Sequence, residues 1–258
     1  MKGTLFAMYT NRLLFSCLLI ISFSSRGQQP ESKANKEPYS LLLTPKFHST
    51  GHSPYSGVYL NNHFNAEIGL NYKYNGFEAF VSRNIDFVDS HSSINFMTVG
   101  VSKSFRLTKS IKVTPYAGYF FRQSYSFSDD NSDMWAAVVV KFTITKWFAI
   151  ENTALFGNLV RHTAHASIAN RLHLSLLVGK FKVDTYTWYT HSLSNPHFVS
   201  TSLAVTTPDW EITKSISARI QVAMLQYVTN ERPEGAMNRG GLISLILPID
   251  LSPGISKR

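Results

Sequence analysis

From Phe64 onward the chain alternates. Phe64, Ala66, Ile68, Leu70, Tyr72 and Tyr74 occupy every second position, with Asn65, Glu67, Gly69, Asn71 and Lys73 between them. Successive residues of a strand point to opposite faces, so this segment has one apolar and one polar face. Asn75-Gly76 follows, and both residues tolerate the positive φ of a type I′ hairpin turn. Residues 77–87 then run back, with Ala79, Val81 and Ile85 opposed to Glu78, Ser82, Asn84 and Asp86.

The motif repeats to the end of the chain. Strands are predicted at 96–107 and 112–125 around Thr108-Lys109-Ser110, and at 134–144 and 147–157 around Thr145-Lys146. Others follow at 168–178 and 183–189 around Gly179-Lys180, and at 198–206 and 212–227 around Pro208-Asp209. A strand at 39–47 opens the series and one at 241–251 closes it. About twelve strands result, most near the roughly 9–11 residues that a tilted strand needs to cross a bilayer.

The predicted fold is therefore all-β: a closed antiparallel transmembrane β-barrel of about twelve strands over residues 39–251. Its connections alternate in length, the longer ones falling at 48–63, 88–93, 126–133, 159–167, 192–197 and 229–239. Short periplasmic turns opposite longer outer loops are the asymmetry of an outer-membrane barrel. An even strand count puts both termini on the short-turn, periplasmic side. Tyr72, Tyr74, Phe77, Phe142, Trp147, Phe148 and Trp210 flank those turns, as an aromatic girdle at the headgroups would. A soluble sandwich would instead turn its apolar faces inward. In lipid the sheet must close, because an open edge leaves unpaired amides in hydrocarbon.

The N-terminus adds an export reading. Lys2 and Arg12 precede an apolar stretch at 13–23, and Ser24, Ser25 and Gly27 follow just before Gln28. That pattern predicts a cleaved signal peptide over 1–27, since the stretch is short of the ~20 residues of a membrane-spanning helix. Residues 28–38 read as a polar, flexible lead-in and 252–258 as a C-terminal tail. Cys17 lies inside the apolar run, so the mature chain would lack disulfides and thiolate chemistry.

Twelve Tyr, eighteen Phe and four Trp with sparse charge argue against disorder. The net charge of +9 falls to +6 without Lys2, Arg12 and Arg26, leaving 22 basic against 16 acidic residues. A positive excess points toward anionic partners such as lipopolysaccharide or a small acidic solute. No basic cluster interleaved with aromatics stands out, which argues against nucleic acid.

The stretch Val113-Thr-Pro-Tyr-Ala-Gly-Tyr119, the turn Thr145-Lys146-Trp147 and the closing strand at 242–251 resemble small Gram-negative outer-membrane β-barrel proteins. The resemblance is one of architecture over residues 39–251, and no motif fixes an activity. It implies an outer-membrane location among lipid and lipopolysaccharide. The chain ends in 252–258 rather than in the terminal aromatic common in that class.

If the apolar face meets lipid, the other lines the interior. It carries Glu67, Lys73, Glu78, Asp86, Arg122, Lys141, Glu151, Arg171, His173, Asp184 and Arg219, with Thr98, Ser102, Tyr116 and Gln221. Charged groups face hydrocarbon only at high cost, so their shared parity supports this assignment. The mixed signs fit a water-filled pore with a transverse field, or a lumen closed by ion pairs. Lys103 and Asn152 break the alternation, and a β-bulge is expected there.

Candidate chemistry is sparse. Tyr189-Thr-His191-Ser192-Leu193-Ser194-Asn195 invites comparison with outer-membrane phospholipase A and the lipid A deacylase, which pair His-x-Ser with a following Asn. His191 and Ser194 are three apart and Ser192 is adjacent, so in a strand neither serine shares the histidine's face. Only a looped His191, Ser194 and Asn195 would serve. His162 and His165 have metal-ligand spacing if helical, but loops collect polar residues anyway. The sequence contains no HExxH, CxxC or Gly-rich phosphate loop, and no cofactor is expected. The leading functional reading is a non-enzymatic narrow pore or surface protein. The alternatives are a lipid hydrolase centred on His191 and a structural or adhesive barrel.

Overall fold

Period-two alternation becomes a ring of antiparallel strands. The computed structural model describes residues 39–52, 59–89, 94–121, 132–163, 166–192, 197–231 and 236–252. Among these, twelve strands form the wall: β1 (Ser40–His48), β2 (Asn65–Tyr74), β3 (Phe77–Asp86), β4 (Met97–Lys103), β5 (Ile111–Phe121) and β6 (Asp133–Thr143). They continue as β7 (Phe148–Gly157), β8 (Ser167–Val178), β9 (Phe181–Ser192), β10 (Phe198–Thr206), β11 (Ser217–Tyr227) and β12 (Arg239–Ile246). Each pairs with its neighbours in sequence, and β12 returns to β1, with Phe47 opposite Leu245 and His48 opposite Ser244. No edge is left open, as hydrocarbon requires.

The turns follow their chemistry. Asn75 and Gly76 take φ of 48° and 70°, and Gly179 takes 61°, the left-handed values that tight hairpins need. The predicted 96–107 strand is divided at Ser104, beyond which Phe105–Arg106 continues the pairing with β5. Prolines account for two further departures. The β10–β11 hairpin does not turn at Pro208-Asp209. A two-residue ribbon, Trp210–Glu211, pairs with Ala218 and Ser217, and the chain reverses at 212–216 instead. Pro208 has no N–H to give the ladder. The β1–β12 ladder is likewise interrupted between Ile246 and Ile249, the stretch that holds Pro45 on one strand and Pro248 on the other, and Leu247 N–H donates to the Pro45 carbonyl at 2.9 Å.

The two faces separate as predicted. Outward positions such as Ile68, Leu172, Leu203, Val222, Met224, Ile243 and Leu245 are apolar yet exposed. A contiguous exposed apolar belt is what a lipid-facing wall presents. Aromatics mark both rims: Tyr39 against Tyr72 and Trp147 against Phe148 on the short-turn side, and the Phe47, Phe64 and Phe87 stack on the other.

The expected bulges at Lys103 and Asn152 are absent. Both residues sit in regular register, opposite Phe77 and Leu172 respectively, and both point outward. Lys103 is the last residue of β4, and its ammonium reaches the Asn75 carbonyl at 2.5 Å. Asn152 is satisfied by Asn170 on the neighbouring strand.

Candidate functional site: the barrel interior

The inward face of the wall holds two polar networks and two aromatic groups. The first network joins β1, β2, β3 and β12. Lys46 Nζ lies 2.7 Å from Glu67 Oε1, and Ser82 Oγ donates to the same oxygen at 3.4 Å. His48 Nδ1 is 2.7 Å from Ser244 Oγ, and its other ring nitrogen is 4.0 Å from Glu67. Alternation accounts for the grouping: Lys46 is the register partner of Glu67, and His48 of Ser244.

The second network crosses β7, β8 and β9. Arg171 Nη2 donates to Glu151 Oε1 at 2.7 Å and to Thr153 Oγ1 at 3.1 Å. His173 lies 3.7 Å from Glu151 through one ring nitrogen and 2.8 Å from Asp184 through the other. Lys182 closes the chain on Asp184 at 3.0 Å. Arg171 also lies over the Trp188 and Tyr186 rings, 5.3 Å and 5.9 Å from their centroids, and His173 stacks on Tyr186 at 4.3 Å. Paired charges, hydrogen bonds and cation–π contact together compensate charge taken partly out of water.

Lys73, Glu78, Asp86, Lys141 and Arg219 share the strand parity of these networks. Lys73 and Glu78 pair at 3.6 Å beside the Asn75-Gly76 turn, and Arg219 reaches Asp209 at 3.4 Å. Lys141 is the register partner of both Lys112 and Glu151. Asp86 receives the Val88 and Asp89 N–H groups on one oxygen, and its other lies 3.3 Å from His63. Arg122 lies outside the described residues.

The interior also carries large aromatics besides Tyr116, at positions that share the parity of the polar face. Phe80 lies 6.1 Å from Trp135 and 6.3 Å from Tyr116. These rings lie against Gly100 and Gly118, which are register partners; a Cβ at Gly100 would come 2.6 Å from Phe80. On the opposite arc Tyr186, Trp188, Ala169, Ala204, Ala223 and Leu242 form a buried cluster. Parity places these rings on the inner face, but the glycine pairing that makes room for them depends on strand register.

The candidate chemistry at the long-loop rim takes a different form. His191 is exposed on the outward face of β9, opposite Ile168. Ser194 and Asn195 lie outside the described residues, as does His165. His162 gives its backbone N–H to Asp133 Oδ2 at 2.8 Å. Among the described residues no group of three or more His, Cys, Asp or Glu side chains is placed to hold a metal ion. Asp133 is the residue the sequence did not single out. Its carboxylate collects N–H groups from Met134, Val160, Arg161 and His162, tying the β7–β8 loop to the rim of β6.

The barrel is that of small outer-membrane β-barrel proteins. It superposes on the KdgM porin with a TM-score of 0.54, covering 81% of this chain and 98% of that one at 7% identity. The NanC porin gives 0.53, with 83% and 100% covered at 13% identity. An outer membrane channel from Pseudomonas putida F1 gives 0.53, with 87% and 99% covered at 9% identity. No protein-family model matches the chain, and no curated protein matches it.

Proposed function

We propose that the protein is exported by the 1–27 signal and inserted in the outer membrane with both termini in the periplasm, surrounded by lipid and lipopolysaccharide. There it acts as a narrow, non-enzymatic pore. One observation carries this reading: a closed wall that is apolar and exposed outside yet carries paired charges of both signs inside. Groups of both signs along the inner wall put a local field across any solute in the lumen. The likeness to barrels described as porins and channels supports it. The positive excess favours small anionic solutes over cations.

A second reading has its own observation. The cluster of Tyr186, Trp188 and Leu242 is buried to 7% exposure or less on the inner wall, which favours a lumen sealed by side chains and a structural surface role. Planar-bilayer recording of the refolded protein separates the two. Stepwise conductance with a reversal potential displaced toward anions is expected; a silent bilayer selects the structural role. Orientation is read on whole cells: cysteine at Val160 should be labelled by an impermeant reagent and cysteine at Lys146 protected. The reverse pattern would invert the barrel.

A further inference from the structure

Three cations occupy consecutive positions of one cross-strand row. Arg106 is the register partner of Lys112, and Lys112 of Lys141, on three adjacent strand segments. All three share the inward parity, because the neighbouring positions Phe105, Val113 and Val140 pair on the outward face. Like charges directly opposite one another across a sheet repel and destabilise it. Two such pairs in sequence are therefore a cost that an empty wall has no reason to carry.

These side chains border a pocket of about 190 Å³ at the short-turn mouth, completed by Lys109, Thr108, Ser110 and Thr143. Among the described residues no carboxylate lines it. The next residue along the row is Glu151, opposite Lys141, but its carboxylate is held by Arg171 at 2.7 Å and faces His173 at 3.7 Å. The pocket thus offers four cationic groups and three hydroxyls to something that must arrive from solution. The outward Lys103 near the same rim differs, its ammonium being occupied by the Asn75 carbonyl.

We propose that Arg106, Lys109, Lys112 and Lys141 form an oxyanion-binding site at the short-turn mouth of the lumen. Its ligand is a phosphate or carboxylate group of a small solute. Guanidinium and ammonium donors with flanking hydroxyls suit a doubly charged oxyanion better than chloride, because they satisfy several oxygens at once. A bound oxyanion would screen the row from itself, so occupancy and barrel stability are coupled through ligand linkage. The site's place in permeation rests on the pore reading; its occupancy by an oxyanion does not.

The test is the unfolding midpoint of the refolded full chain in detergent micelles, titrated with inorganic pyrophosphate or citrate against chloride at equal ionic strength. The wild type should show a saturable rise with the polyvalent oxyanions beyond that with chloride. K112Q/K141Q should unfold later than wild type in chloride, because the repulsion is gone, and should lose the oxyanion response. K103Q and K214Q, cations outside the row, should keep it. Should the double variant fail to fold, R106Q carries the same expectation. A wild type indifferent to oxyanions, a response retained in K112Q/K141Q, or a rise produced only by anionic lipid in the micelle overturns the site. A conducting barrel without the oxyanion response refutes the site alone. A silent barrel that shows it refutes the pore and supports the site.

Discussion

Asn152 and Asn170 exchange two hydrogen bonds on the outward face of the barrel, at 3.0 Å and 3.1 Å, each amide donating to the other's carbonyl. They belong to adjacent strands and are offset by two residues, since Asn152 opposes Leu172 and Asn170 opposes Ala154. In a lipid-facing wall an unpaired carboxamide is costly, and the pair removes that cost by mutual satisfaction. This is why the alternation could be broken without a bulge.

The pair predicts strong non-additivity. Asn152→Ala or Asn170→Ala alone leaves one amide unsatisfied in an apolar setting and should destabilise by about 1–3 kcal/mol. The double alanine variant should cost less than the sum of the two, because no orphan remains. A double-mutant cycle on unfolding free energies in lipid vesicles measures this; additive losses would mean the amides act independently.

The inward glycines make a steric prediction. A Cβ on Gly118 would run into the Val99 carbonyl and reach 2.7 Å from the Trp135 ring, whereas one on Gly69 meets nothing closer than 3.9 Å. Gly118→Ala should therefore lose about 1–3 kcal/mol through overpacking. Gly69→Ala should be close to neutral. Adding Trp135→Leu to Gly118→Ala should recover only the part due to the ring, since the backbone contact stays. Equal midpoints for the two alanine variants would show that Trp135 does not lie against Gly118.

Much of this was readable in one dimension. Asn75-Gly76 and Gly179-Lys180 announced their turns, and period-two patterning placed the strands to within a few residues. Glu67, Glu151, Arg171 and His173 could be put on the inner face by parity alone. What could not be read depends on register between strands. Nothing in 100–118 says that Gly100 opposes Gly118 and frees space for Phe80 and Trp135. Arg106, Lys112 and Lys141 become a row only when three strands are aligned. Asn152 looked like an irregularity because its partner lies eighteen residues away.

The lipid-facing assignment can be tested by charge. Val138 and Leu174 point outward in the middle of β6 and β8, and Thr98 points inward on β4. Arginine at Val138 or Leu174 should cost roughly 2–4 kcal/mol, the depth-dependent penalty of a cation near the bilayer midplane. Arginine at Thr98 should cost much less, since it enters the polar interior. Unfolding in vesicles gives the three values directly, and equal losses at all three would deny that the faces differ.

Arg171 provides the sharpest test of the interior. Its guanidinium holds Glu151 at 2.7 Å and Thr153 at 3.1 Å while covering the Trp188 ring at 5.3 Å. Arg171→Met removes the nearest cation and leaves Glu151 with His173 at 3.7 Å and its register partner Lys141. Because the Glu151 and Arg171 side chains remain 21% and 17% exposed, the loss should fall below the ~3–5 kcal/mol of a fully buried broken pair. Arg171→Lys keeps the charge but loses the planar fork and the stacking, so it should restore only part of that stability. Adding Glu151→Gln to Arg171→Met should recover stability, as no lone charge then remains. In an open lumen the same variants separate by sign: Arg171→Met should move the reversal potential toward cations, and Glu151→Gln toward anions. Shifts of the same sign would mean that permeating ions do not sense this network, even if the stability changes follow the expected order.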